Sequence, residues 1–157
     1  MSACLAPCCS GRDTGQAMAE ESTTPDAAEL TRLQIDAINR RDFDALLTYA
    51  APDLVYDTTP SGFGVYEGIA AIREFIEGYW EAFDELSFEL EEFVDLGNGV
   101  TFAVNRQQAL PSGSSAPVQA REAHVTEWKD GLAVRIKVYI NIDEALAAAE
   151  RLAKERG

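Results

Sequence analysis

Asp42-Phe-Asp-Ala-Leu-Leu-Thr-Tyr49, Leu54-Val-Tyr-Asp57 and Gly68-Ile-Ala-Ala-Ile-Arg-Glu-Phe75 follow one another closely. The first predicts a short helix capped by Asp42 and ended by Pro52. The second predicts a strand over Leu54–Thr58. Thr59-Pro-Ser-Gly-Phe-Gly64 is rich in helix and strand breakers and predicts a loop. Gly68 then opens a longer helix, with Ile69, Ile72, Phe75, Ile76, Tyr79, Trp80 and Phe83 on or near one face. This order puts a lone carboxylate, Asp57, where a helix pair and a sheet close over a pocket.

Upstream, Thr24-Pro25-Asp26 reads as a helix start: a capping hydroxyl, Pro at the first helical position and an acid in the first turn. Leu30, Leu33, Ala37 and Ile38 give that helix one buried stripe, to about Arg40. Downstream of Phe83 the period changes from 3.6 to 2. Phe88, Leu90, Val94 and Leu96 alternate with Glu89, Glu91 and Asp95, and Gly97-Asn98-Gly99 marks a hairpin. Val100, Phe102 and Val104 alternate in the next strand. Val118 to Lys129 is a third long strand, turned by Asp130-Gly131, and Leu132 to Ile142 is a fourth. An Ala-rich helix closes the chain. Helices followed by an antiparallel meander predict an α+β fold, with helices on one face of a strongly curved sheet.

At 157 residues the chain is long enough for one domain with a substantial core. Its 13 basic and 27 acidic residues leave a net charge of −14, which argues against nucleic-acid and anionic-membrane partners. No apolar run is long enough to span a bilayer. Cys4, Cys8 and Cys9 all precede the folded body, so no disulfide framework is expected and no metal site. Residues 1–24 read as a disordered tail, with Met18 an alternative start. They carry no signal-like basic and apolar regions, so the cytoplasm is the default location. Residues 25–142 form the domain and 143–157 the final helix.

The run from Asp42 to Phe75 and the segment Trp128-Lys-Asp-Gly-Leu-Ala-Val-Arg-Ile-Lys-Val-Tyr-Ile-Asn141 resemble the SnoaL-like and ketosteroid isomerase-like branch of the nuclear transport factor 2-like superfamily. The resemblance runs from about Ala28 to Ile142. It implies a cone-shaped half-barrel, with the antiparallel sheet packed against the N-terminal helices. The superfamily hosts isomerases, cyclases, dehydratases, hydrolases and non-enzymes, so the resemblance speaks for fold more than activity.

Asp57 and His124 are the candidate catalytic residues. Asp57 shares a strand face with Val55, and if Val55 points inward so does Asp57. Burial would then suit it to general-base work, and in ketosteroid isomerases the matching strand carries the catalytic Asp. The competing role for Asp57 is to cap the loop at Thr58-Thr59. His124 is the only histidine. It shares a face with Glu122, Thr126 and Trp128, and the resemblance places it where those isomerases hold a protonated Asp, donor to the oxyanion. At the position of the family's helix-borne Tyr this chain has Gln34, a far weaker acid, with Tyr56 and Tyr79 as substitutes. Arg106 continues the Val100–Phe102–Val104 face and needs Asp57, Glu122 or an anionic ligand as a partner. Epoxide-hydrolase relatives pair such an Arg with an Asp two residues on, where this chain has Gln108. Trp80, Phe102 and Trp128, with Tyr79, complete the candidate pocket wall. Most of the chain's aromatics are expected in the core.

The resulting expectation is a cofactor-independent acid/base enzyme of isomerase, cyclase or dehydratase type. It would act on a small, mostly apolar carbonyl compound. The alternative is a non-catalytic small-molecule-binding or dimerisation module. Burial discriminates: the enzyme reading needs Asp57 and His124 to converge in one enclosed pocket. A homodimer through the outer sheet face is also expected, because Arg135, Lys137 and Tyr139 lie opposite an aliphatic face.

Overall fold

The computed structural model of the chain describes residues 26–157. The expectations for the tail, its cysteines and Met18 fall outside the described residues. Four α-helices and six strands follow in order: α1 (Ala27–Asn39), α2 (Phe43–Leu47), β1 (Ala50–Asp57), β2 (Val65–Glu67), α3 (Ile69–Glu81), β3 (Phe83–Gly97), β4 (Val100–Pro111), β5 (Val118–Lys129), β6 (Leu132–Tyr139) and α4 (Ile142–Arg156). The strands form one sheet in the order β2-β1-β6-β5-β4-β3. Every pairing is antiparallel except β1 with β6, which joins the first strand to the last in parallel.

Local chemistry accounts for most of the boundaries. Asp26, rather than Thr24, caps α1, accepting a hydrogen bond from the Glu29 amide at 2.8 Å. The buried stripe of α1 contains Leu30 and Ala37 as expected, but Leu33 is exposed and Thr31 is buried. Asp42 caps α2 through the Ala45 amide. Pro52 does not end this helix. It lies inside β1, where pairing with β6 shifts between Ala50 and Val55 and no ladder donor is needed. β2 was not expected: it is too short to show a period. Gly99 has φ +77° and packs so closely that a Cβ would meet the Trp128 carbonyl oxygen at 2.7 Å.

The sheet is covered on both sides, and this separates two cores. On the inner face, α1 and α3 pack Leu30, Ile72, Ile76 and Trp80 against Leu54, Leu86, Ala109, Trp128 and Ala133. On the outer face, α4 lays Ala145, Ala149 and Ala153 over Val100, Phe102, Val104, Ala123, Val125 and Tyr139. A β-bulge makes the second core possible. Leu90 pairs with Asn105, but Glu92 pairs with Val104, so Glu91 is an extra residue. Leu86, Phe88 and Leu90 therefore face inward. Val94 and Leu96 pack under α4 instead. The single alternation expected through Phe88, Leu90, Val94 and Leu96 is thus two alternations on opposite faces.

Helix α4 is tied down at both ends. Asn141 caps it by accepting from the Glu144 amide at 2.9 Å. Near its far end, Asn98 Nδ2 donates to the Ala153 carbonyl at 2.7 Å, and Arg156 pairs with Glu127 at 3.2 Å. The outer face expected to meet a second copy is therefore partly occupied by the chain's own helix. Among the described residues no helix is long and apolar enough to cross a membrane.

The alanine stripe lets α4 lie close to the sheet. Ala149→Leu, at a fully buried position, is expected to destabilise the protein by about 1–3 kcal/mol through overpacking. Ala147→Leu, on the exposed side of the same helix, should stay within about 0.5 kcal/mol of wild type. Urea denaturation of both variants checks the pair.

Candidate functional site

The inward-facing residues of β4 are Thr101, Ala103, Asn105 and Gln107, and those of β5 are Ala120, Glu122, His124 and Thr126. They oppose one another as Thr101–Thr126, Ala103–His124, Asn105–Glu122 and Gln107–Ala120. The inner face of the sheet thus carries a polar band, and α1, α2 and α3 close over it with apolar side chains. Between them lies a chamber of about 110 Å³. Ile35, Ile38, Leu46, Leu47, Leu54, Ile72, Ile76, Phe88 and Ile136 supply its apolar wall. Thr31, Gln34, Tyr56, Thr101, Asn105, Glu122, His124 and Thr126 supply its polar groups.

A second chamber of about 210 Å³ adjoins the first, with Tyr56, Phe88 and Glu122 common to both. Phe63, Phe75, Tyr79, Gln107, Val138 and Ile140 help to line it. Phe63 and Ile140 are largely exposed, which puts this chamber on the side of solvent. Phe63 meets Phe75 and Tyr79 edge-on, at centroid separations of 5.8 and 6.1 Å. The Tyr79 hydroxyl and the Gln107 amide hydrogen-bond across the chamber wall, with Nε2 donating to Oη at 3.1 Å.

Two polar atoms in the inner chamber are buried and unpartnered: Asn105 Oδ1 and His124 Nε2. His124 Nε2 lies 3.4 Å from Glu122 Oε1, within ion-pair range, but without the alignment of a hydrogen bond. Tyr56 completes the group. Burial pushes its hydroxyl pKa strongly upward, and the nearby Glu122 and Tyr79 push it further. Tyr79 is raised too, by burial first and by Glu122, against its bond to Gln107. Both phenols therefore stay neutral and able to donate. Among the described residues no three His, Cys, Asp or Glu side chains are grouped to hold a metal ion.

Asp57 is not in this group. Register decides it: Tyr56 opposes Ile136 and Asp57 opposes Lys137, while Ile136 opposes Thr126 and Lys137 opposes Val125. Tyr56 therefore shares the inner face with Thr126 and His124, and Asp57 lies on the outer face. There Asp57 Oδ1 accepts from the Thr59 amide at 3.0 Å and from the Thr59 hydroxyl at 2.6 Å. Arg135 is 3.5 Å from its other oxygen. Burial raises its pKa, but the two Thr59 bonds, Lys137 and Arg135 outweigh that, and the net shift is downward. Asp57 is a loop cap, and the expected convergence of Asp57 and His124 in one pocket does not occur.

The other candidates divide. Gln34, Tyr56, Glu122 and His124 line the inner chamber, and Tyr79 lines the outer one. Phe102 is buried under α4, on the outer face. Arg106 is on that face too, where it and Arg121 share Glu91 and neither Asp57 nor Glu122. Trp80 lines a separate surface groove, with the Arg41 guanidinium stacked 4.6 Å from its ring. Trp128 is in the inner core and donates from Nε1 to Thr101 Oγ1 at 2.8 Å, bracing the chamber wall. The residue that sequence reasoning missed is Asn105. Its strand alternates Thr, Ala, Asn and Gln against Val, Phe and Val, a pattern that ordinarily means a wet face and a dry one. Here both faces are covered.

A model of the SnoaL-like domain matches residues 31–136. No curated protein matches the sequence. Solved structures do resemble the fold. A nuclear transport factor 2-like protein of unknown function from Burkholderia pseudomallei superposes with a TM-score of 0.65 at 20% identity, over 78% of this chain and 95% of that one. A candidate polyketide cyclase from Xanthomonas campestris gives 0.61 at 20% identity, over 77% and 94%. An epoxide hydrolase from M. tuberculosis gives 0.62 at 16% identity, over 83% and 93%. At these identities the likeness is one of fold.

The environment of Asp57 fixes the pH dependence of its contribution. A carboxylate with a lowered folded-state pKa stabilises fully above the unfolded value, and the stabilisation is lost as pH falls through the folded one. Asp57→Asn is therefore expected to lose about 1 kcal/mol at pH 7. The gap to wild type should narrow as pH drops below about 4. Denaturant unfolding of both proteins across that range checks it, and a gap that widens toward acid would contradict the assignment.

Proposed function

This chain belongs to the SnoaL-like domain family, and we propose that it binds a small, mostly apolar carbonyl compound in the paired chambers and moves a proton on it without a cofactor. The observation that supports this is the pair of unpartnered buried atoms, Asn105 Oδ1 and His124 Nε2, in a chamber walled mostly by apolar side chains. A buried polar atom left unpaired costs about 1–3 kcal/mol, and a ligand that pairs with it recovers that cost. Size narrows the class. An apolar cavity of about 150 Å³ holds a benzene ring; the inner chamber, at about 110 Å³, is smaller, so it takes a short branched chain, and a ring extends through the waist into the outer chamber.

In this reading Glu122 replaces Asp57 as the base. A ketone oxygen accepts from the Tyr56 hydroxyl or from His124 Nε2–H. Glu122 removes a proton from the adjacent carbon, and the electron pair moves onto the oxygen as an enolate held by those donors. Return of the same proton to a different carbon completes an isomerisation, and attack of the enolate carbon on a second carbonyl completes an aldol-type cyclisation. Gln34 stands on α1 as a further, weaker donor. The protein would work in the cytoplasm as a homodimer, through the part of the outer face that α4 leaves open.

A non-catalytic binding module is the second reading. It is favoured by the outward turn of Asp57 and by Gln34 in place of a more acidic hydroxyl. The two readings separate in deuterium oxide with cyclopentanone, by proton NMR of its α-hydrogens. Catalysis predicts exchange faster than buffer, reduced at least ten-fold in His124→Gln and in Glu122→Gln. Binding seen at the single histidine's ring protons without faster exchange would support the second reading. Light scattering at tens of micromolar, roughly where a standard-size interface is saturated, should give twice the monomer mass, and a monomer would overturn the dimer.

A further inference from the structure

The waist between the two chambers has an unusual charge balance. Tyr56, Phe88 and Glu122 are shared by both. The inner chamber is lined by no lysine or arginine. The outer chamber includes Arg121, but its guanidinium is turned to Glu91 at 2.7 Å. Among the described residues the one basic side chain within ion-pair range of Glu122 is His124, poorly aligned at 3.4 Å. Asn105, 2% exposed, opposes Glu122 across the ladder and lines the inner chamber, with its carbonyl oxygen unpartnered. The waist therefore offers a carboxylate with two aromatic rings beside it, and the inner chamber next to it holds an amide acceptor on the facing strand.

We propose that the ligand carries a protonated amine, seated at this waist against Glu122, with Asn105 Oδ1 as the second acceptor. This rests on the reading that a small molecule occupies the chambers, in its binding-module form: Glu122 then anchors the ligand and does not take a proton from it. An ammonium is all donor, so it satisfies a carboxylate and an amide oxygen at once without leaving an acceptor of its own unpaired. The rings of Tyr56 and Phe88 add attraction for a cation that a neutral hydroxyl would not feel. The raised pKa values of Tyr56 and Tyr79, each partly the work of Glu122, report the same negative field. An anionic ligand would meet that field unpaired, inside a chain of net charge −14.

Three one-ring compounds of nearly equal shape test it by calorimetry on the full chain: benzylamine, benzyl alcohol and benzoate. The proposal expects benzylamine to bind at least ten-fold more tightly than benzyl alcohol, and benzoate more weakly than either. Glu122→Gln should bring benzylamine to within about three-fold of benzyl alcohol while leaving benzyl alcohol bound. If wild type binds benzyl alcohol as well as benzylamine, or prefers benzoate, the amine assignment is wrong and the small-molecule reading stands. If Glu122→Gln keeps the full preference, the cation site is elsewhere and the proposal fails. If wild type binds none of the three, the amine proposal and the small-molecule reading fall together.

Discussion

The parallel pairing of β1 with β6 decides which acid of this protein faces its cavity. Side chains alternate along a strand, so one register fixes every residue at once. With Tyr56 opposite Ile136, the inner face receives Leu54 and Tyr56, and the outer face receives Val55 and Asp57. A slip of one residue would exchange them, placing a carboxylate in the apolar chamber and a tyrosine over the charged side chains of Arg135 and Lys137. The hydrogen bonds from Thr59 and the ion pair with Arg135 make the observed side the stable one for Asp57. Everything about the site follows: the acid of the chamber comes from β5, and the phenol from β1.

The period-2 pattern of β3 to β6, the three-helix lead-in and the GNG hairpin were legible in the residues, and so was the fold. What a strand pattern cannot show is which of its two faces is inside when both are buried. β4 illustrates it. Val100, Phe102 and Val104 look like the core side, and they are, but of the outer core under α4. The inner side of the same strand, with Thr101, Asn105 and Gln107, passes for a solvated face. The information that overturns this lies in the last helix, whose alanines at 145, 149 and 153 leave room for a sheet. The Glu91 bulge was illegible for a related reason. One extra residue keeps the local pattern intact while reversing its meaning downstream.

His124 and Glu122 were recognisable from the shared face of one strand, and Gln34 and Tyr56 from the family resemblance. Asp57 does share a face with Val55, but that face is the outer one, and Arg106 does continue the Val100–Phe102–Val104 face, which is also the outer one. Both found partners near in space on the outer face. For Asp57 these were Thr59 and Arg135, and for Arg106 it was Glu91. A charge in a pattern shows that a partner exists, and leaves open which side of the sheet supplies it.

The outer face is a bracket and the inner face a vessel. α4, Asn98 and Arg156 tie the β3–β4 hairpin to the end of the chain, and on the inner face Trp128 donates to Thr101 in the chamber wall. Rigid support of this kind is what permits polar atoms to stay unpaired. In a soft chamber, Asn105 and His124 would rotate to find each other, a backbone group or solvent, and the cavity would fill. Held on neighbouring strands at fixed register, they keep those hydrogen bonds unmet.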